Sequence, residues 1–201
     1  MSSSASCNEF LAANFIASCN GLQKVGGVDG TVYIGFRPDI ATLTLGTNGE
    51  ITALTLTGGK YLYKFGGKKE QHEITSDLVP MKGAFPKYKH TAKMFLYPYS
   101  AADIQALENL LASKRMFLIY VSLSGQVKAL GIDLNPYIGG DFDDERGLAP
   151  INEKWVEGIN YAADSWSEVT LEGEFWSKPK LYKPDGVLAD NIAALDAMVF
   201  D

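Results

Sequence analysis

Few side chains in this sequence are spaced for chemistry. The acidic run Asp141-Phe142-Asp143-Asp144-Glu145 alternates carboxylates as a calcium loop does. Its spacing departs from an EF-hand: Arg146 stands where the obligatory glycine belongs, and Asn152 where the bidentate glutamate belongs. A solvated acidic loop is the expectation. His72 and His90 are the only histidines, and neither has a cysteine or acid at ligand spacing, so no zinc site is expected. Gly26 to Gly30 lacks the Gly-Lys-Ser/Thr ending of a phosphate loop and leads into a strand instead of a helix. No Gly-x-Ser-x-Gly elbow, Cys/His pairing or spaced acid/base couple is present. The expectation is therefore no enzyme, no catalytic residue, no metal and no cofactor.

Cys7 and Cys19 are too few for a disulfide framework, and both fall in a stretch with helical spacing, three turns apart. Two free thiols fit a reducing compartment. Ile16-Ala17-Ser18-Cys19 resembles a lipoprotein lipobox, which makes a bacterial surface lipoprotein or binding module the alternative reading. No Lys or Arg precedes it, and Glu9 and Asn14 interrupt the apolar region such a signal needs. No apolar run reaches the ~18–20 residues of a membrane span, so no membrane partner is expected.

Charge is unevenly spread. The net charge is −6, which argues against a dedicated nucleic-acid binder. Lys60 to Lys93 holds eight lysines against Glu70, Glu73 and Asp77, a net of +5, leaving −11 for the rest. The first reading is a solvated loop and edge strand with protective lysines. The sharper one is a basic arm that docks on an acidic neighbour, such as a second copy. Ten tyrosines and ten phenylalanines in an acidic chain fit an aromatic core or subunit interface better than an RNA-binding sheet.

The elements that would position these groups are mostly strands. A chain of 201 residues is expected to form one domain, burying roughly 70% of its unfolded surface. Residues 1–20 contain a short helix, with Leu11 and Phe15 on one face and Gly21 as its stop. Thr31 to Phe36 reads as a strand that Arg37-Pro38-Asp39 breaks. Thr42 to Leu45 and Ile51 to Thr57 flank Asn48-Gly49, a hairpin signal. Lys60 to Phe65 and Glu70 to Ser76 come next as strands, separated by glycines. Residues 77–90 carry Pro80, Gly83 and Pro86 and read as an exposed arm.

Thr91 to Tyr97 is a strand, and a helix and an apolar hairpin come after it as the organising unit of the chain. Ser100 and Asp103 have capping-box spacing. Ile104, Leu107, Leu110 and Leu111 form one stripe, worth roughly 1.5–3 kcal/mol each when buried. Lys114 and Arg115 suit the last turn. Met116 to Val121 is too apolar for a solvent-facing strand; Ser124-Gly125-Gln126 turns it, and Val127 to Leu134 returns. Residues 135–165 form a long inserted loop, with a short helix expected over Asn152 to Tyr161. Glu168 to Trp176 alternates Val169, Leu171, Gly173 and Phe175 with Glu168, Glu172 and Glu174, one buried face and one acidic face. Val187 to Phe200 has the spacing of a docking helix. The expected fold is mainly β (α+β), a β-sandwich or small barrel with one packed helix and short terminal helices.

In order, these segments resemble the tail and neck structural proteins of phages that infect Bacteroidetes, including the ring proteins of crAss-like phages. The carrying stretches are a short N-terminal helix ending near Cys19, then Gly30 to Ile40, Ile51 to Val79, His90 to Gly125, Lys128 to Leu134 and Glu168 to Tyr182. The resemblance implies a tail-tube-like domain over 1–201 that closes into a homo-oligomeric ring of six or twelve copies. It implies a virion location in the tail or neck, assembly in the host cytoplasm, and adjacent tail, neck or portal-side proteins as neighbours. Phage DNA would pass through the lumen, during packaging or ejection, without specific binding, and Glu168, Glu172 and Glu174 could form one stave of an acidic wall. Residues 135–165 are longer than the corresponding stretch of that family. The family has no catalytic residues to carry over.

Overall fold

A computed structural model describes residues 27–66, 71–81, 86–97, 100–133, 146–156, 166–184 and 186–200. It is mainly β. A five-stranded antiparallel sheet contains β1 (Val28–Phe36), β4 (Tyr63–Gly66), β7 (Met116–Ser122), β8 (Val127–Leu130) and β11 (Lys180–Leu181), in the order β11-β8-β7-β1-β4. A four-stranded antiparallel sheet contains β5 (Glu73–Val79), β6 (Lys87–Leu96), β9 (Ala149–Val156) and β10 (Trp166–Phe175), in the order β5-β6-β10-β9. β2 (Ile40–Leu45) and β3 (Ile51–Leu56) form a separate hairpin. Among the described residues the α-helices are α1 (Ala101–Ala112) and α2 (Leu188–Asp196).

The five-stranded sheet is the middle layer, which explains the apolar run expected to be too greasy for solvent: all seven residues of β7 are buried. Met116, Leu118 and Tyr120 point with Val32 and Ile34 into one core, against Ala92, Met94, Val169, Leu171 and Phe175 of the four-stranded sheet. Leu107 and Leu110 of α1 close the same core. Phe117, Ile119 and Val121 point with Tyr33 into a second core, covered by Ile51 and Leu54 of the hairpin and Leu195 of α2. Gly35 lets the Phe117 ring cross the strand. A Cβ there would lie 2.7 Å from Phe117 Cε1 and 2.8 Å from Leu62 Cδ2.

The local signals before α1 are realised. The Asp103 N–H donates to Ser100 Oγ at 3.1 Å, and the Ser100 N–H donates to Asp103 Oδ2 at 2.9 Å. Leu107 and Leu110 are buried, whereas Ile104 of the same stripe is 40% exposed. Lys114 and Arg115 lie beyond the helix, not in its last turn; Arg115 has φ 59° and turns the chain into β7. The Asn48-Gly49 hairpin forms, with Gly49 at φ 78°.

Other expectations change. Asn152 to Val156 belongs to β9, not to a helix, because β10 offers it a full antiparallel ladder in which Trp155 faces Ser167 and Glu153 faces Val169. Val127 to Leu134 is strand only to Leu130, where Gly131 at φ 83° turns the chain and leaves Ile132 and Asp133 buried. The arm expected over residues 77–90 is strand at both described ends: Asp77 pairs with Lys89 and Val79 with Lys87. β6 is an interior strand, so its lysines guard no edge. The tail helix is shorter than expected, ending at Asp196; Val199 instead bridges Leu62. The helix expected over 1–20, with Cys7, Cys19 and the lipobox, lies outside the described residues, as do Asp141 to Glu145 and most of the 135–165 loop.

Candidate assembly interface

The strand with the acidic outer face does not present bare acid. On the adjacent β6, Lys93 Nζ lies 2.7 Å from Glu168 Oε1, Lys89 Nζ 2.8 Å from Glu172 Oε1, and Lys87 Nζ 3.3 Å from Glu174 Oε2. In the ladder Lys93 faces Thr170 and Lys89 faces Glu174, so each lysine reaches diagonally to the glutamate two residues earlier. Hydrogen bonds to Glu172 and Glu168 hold the Lys89 and Lys93 ammonium groups above their usual pKa. Each of the three glutamates is therefore paired with a lysine, and with Glu73, Asp77 and Lys154 in the same rows the face mixes both signs of charge and is not a bare acidic wall.

The same pairing accounts for the basic stretch. Lys60 bonds Asp39 at 3.2 Å and Lys64 bonds Asp196 at 2.7 Å. All five described lysines between Lys60 and Lys93 thus meet carboxylates of their own chain. Lys68, Lys69 and Lys82 lie outside the described residues. Asp196 also accepts a hydrogen bond from Tyr33 Oη at 2.9 Å, which ties the end of α2 to β1. The Lys64 contact, seconded by Tyr33, holds the Asp196 carboxyl below its usual range.

The exposed features that remain are strand margins. β4 ends the five-stranded sheet, and beside it runs a groove of about 520 Å³ lined by Tyr63, Phe65, Leu96, Leu107, Val199 and Phe200. Tyr61 and Phe200 pack edge to face at 5.3 Å on its rim, 41% and 61% exposed. β9 ends the four-stranded sheet, with Ile151 and Trp155 at 57% and 38% exposure. Among the described residues no strand pairs with the outer side of β4 or β9, although Leu62, just before β4, is bonded by Met198 and Phe200. β4 and β9 belong to different sheets and carry different side chains, so a contact joining them on two copies would be heterologous.

Behind the four-stranded sheet lies a buried polar cluster that sequence reading missed. Arg37, 0% exposed, donates from Nη1 to the Gly131 carbonyl at 2.6 Å and to Asp133 Oδ1 at 3.1 Å. The Trp176 N–H donates to Asp133 Oδ2 at 2.5 Å. The pair thus binds the turn after β1, the exit from β8 and the end of β10 together. In sequence Arg37 looks like part of a surface turn; its one signal is its position between Gly35-Phe36 and Pro38 after an apolar strand. The Phe175 ring lies against this cluster, with the Arg37 guanidinium 5.9 Å from its centroid and the His90 ring stacked at 4.9 Å. Burial pushes the His90 pKa down to about 4, opposed by the Ser177 backbone.

Neither histidine is placed as a ligand. His72 Nδ1 accepts the Phe95 N–H at 3.2 Å, which leaves Nε2 to donate to the Gly30 carbonyl at 3.3 Å. Burial lowers its pKa, partly offset by that second bond. Among the described residues, no group of three His, Cys, Asp or Glu side chains could hold a metal ion, and no helix is long and apolar enough to cross a membrane. Compared with known proteins, the chain matches no family model, no curated protein and no solved structure.

Proposed function

We propose that this chain is a virion structural protein of a phage tail or neck, whose copies close into a ring of six or twelve around the channel through which DNA passes. The observation that supports the reading is that two of the four sheet margins carry exposed apolar side chains of different kinds, β4 with Tyr61, Tyr63 and Phe200 beside it, and β9 with Ile151 and Trp155. Two different adhesive edges on one rigid sandwich are what a head-to-tail ring requires. The paired Lys–Glu face of the four-stranded sheet adds support, since a face whose charges are largely matched neither grips nor strongly repels a passing duplex. Neighbouring tail, neck or portal-side proteins would bind the two flat sides of such a ring.

Mass photometry and negative-stain electron microscopy of the purified protein test this. Closed rings of six or twelve copies are the expected result, and Ile151→Lys with Trp155→Lys is expected to release monomers with an unchanged far-UV spectrum. Monomers alone, at high concentration and in virions, would refute it.

A further inference from the structure

A second feature is independent of the ring. The segment Ser177-Lys178-Pro179-Lys180-Leu181 leaves β10 and forms β11, and Lys183 lies just beyond. Together with the Asn48-Gly49 turn of the β2–β3 hairpin, it encloses a cleft of about 420 Å³. Lys178, Lys180 and Lys183 all line it, against one acid, Glu50. The Glu50 carboxylate is already engaged, accepting the Asn48 N–H at 3.0 Å and folding over its own turn. The lining therefore has a net charge of +2 within one concave site, where low-dielectric walls concentrate the field.

These lysines differ from those of the sheet face. Lys87, Lys89 and Lys93 each have a carboxylate within 3.3 Å. Among the described residues, Lys178, Lys180 and Lys183 have no ion pair. Lys180 is the half-buried one, paired through its backbone with Ala129 of β8. Its ammonium sits under the hairpin turn, where a Cβ on Gly49 would lie 3.4 Å from Nζ. Burial lowers its pKa, partly offset by the charge of Asp133. Ser177 Oγ, shut off from solvent at the same cleft, has no hydrogen-bond partner.

We propose that this cleft is a phosphate-binding site in which Lys178, Lys180 and Lys183 surround a phosphate group beneath the Asn48-Gly49 turn. A multivalent oxyanion matches three lysines that line one cleft: the Lys180 ammonium already lies under the turn, and the exposed Lys178, now 5.7 Å over the Tyr88 ring, and Lys183 would swing onto the bound group. The phosphate can belong to a small free anion or to a nucleic-acid backbone, and the two are separable by experiment.

The test titrates full-length protein with inorganic phosphate by calorimetry, and with a fluorescein-labelled DNA duplex by anisotropy, in chloride buffer. Lys180→Gln is expected to weaken binding of the active probe by roughly tenfold, the size of one charge-assisted hydrogen bond. The exposed pair Lys178→Gln with Lys183→Gln is expected to do the same without disturbing the fold, which covers the case in which Lys180→Gln does not fold. The charge-matched control Lys114→Gln with Lys154→Gln is expected to leave binding unchanged. Binding of phosphate alone assigns a small-anion site; binding of duplex, with phosphate competing, assigns a backbone site. If neither probe binds, or if the control weakens binding as much as the cleft variants do, the proposal is overturned. Ring formation is not required for either outcome.

Discussion

Replacing Asp133 with Asn removes one charge from the buried pair and keeps its shape. Arg37 is 0% exposed and Asp133 1%, so the buried guanidinium would keep the Gly131 carbonyl and lose the charge of Asp133. Breaking a buried pair from one side costs about 3–5 kcal/mol. The Trp176 N–H, which donates to Asp133 at 2.5 Å, would keep a weaker neutral acceptor, so the loss should fall near the middle of that range. In a chain of this size, about 4 kcal/mol corresponds to a melting temperature lower by roughly 8–16 °C. Urea unfolding followed by tryptophan fluorescence measures it, because Trp176 adjoins the pair. The double replacement Arg37→Met with Asp133→Leu is expected to recover most of the loss, since no charge is then left buried. A loss below about 1 kcal/mol for Asp133→Asn would refute the reasoning, because it would mean that water reaches the guanidinium.

Gly35→Ala sets a Cβ against Phe117 and Leu62 in a filled core and is expected to cost about 1–3 kcal/mol in the same unfolding assay. His90 has a pKa of about 4 when folded, against about 6.5 when unfolded, so the unfolded chain binds more protons between those values. Its contribution is intact above pH 6.5 and is lost as pH falls toward 4, by about 3 kcal/mol in all, and His90→Gln should flatten that part of the stability profile measured by urea titration. Ser100→Ala removes the cap of α1 and is expected to cost about 1 kcal/mol, visible as a lower urea midpoint at unchanged slope.

Local patterns in the chain were enough for the elements whose signals are local. Ser100 with Asp103 marks the start of α1, Asn48-Gly49 marks the hairpin, and the alternation from Glu168 to Phe175 marks β10, because caps, turns and pleats act over two to four residues. The unbroken apolar run of β7 marked a strand too apolar to face solvent, and the structure supplies a core on each side of it. Asn152 to Val156 could not be read in the same way. Its residues suit a helix by spacing, and only the free ladder of β10 makes them a strand.

The charges were the least legible part. Eight lysines in one stretch and three glutamates in another look like two opposed patches in sequence. Yet antiparallel pairing of β6 with β10 sets Lys87, Lys89 and Lys93 beside the three glutamates and pairs them. The opposite holds for Lys178, Lys180 and Lys183, an ordinary basic run until the hairpin turn closes over it without bringing enough acid. Arg37 and Asp133 are 96 positions apart and meet only because Gly131 turns the chain inward at the end of β8. Which side chains exist was decided by the chain. Which of them remain unsatisfied was decided by strand register and burial, because a charge's partner and its distance from water are properties of the packed molecule alone.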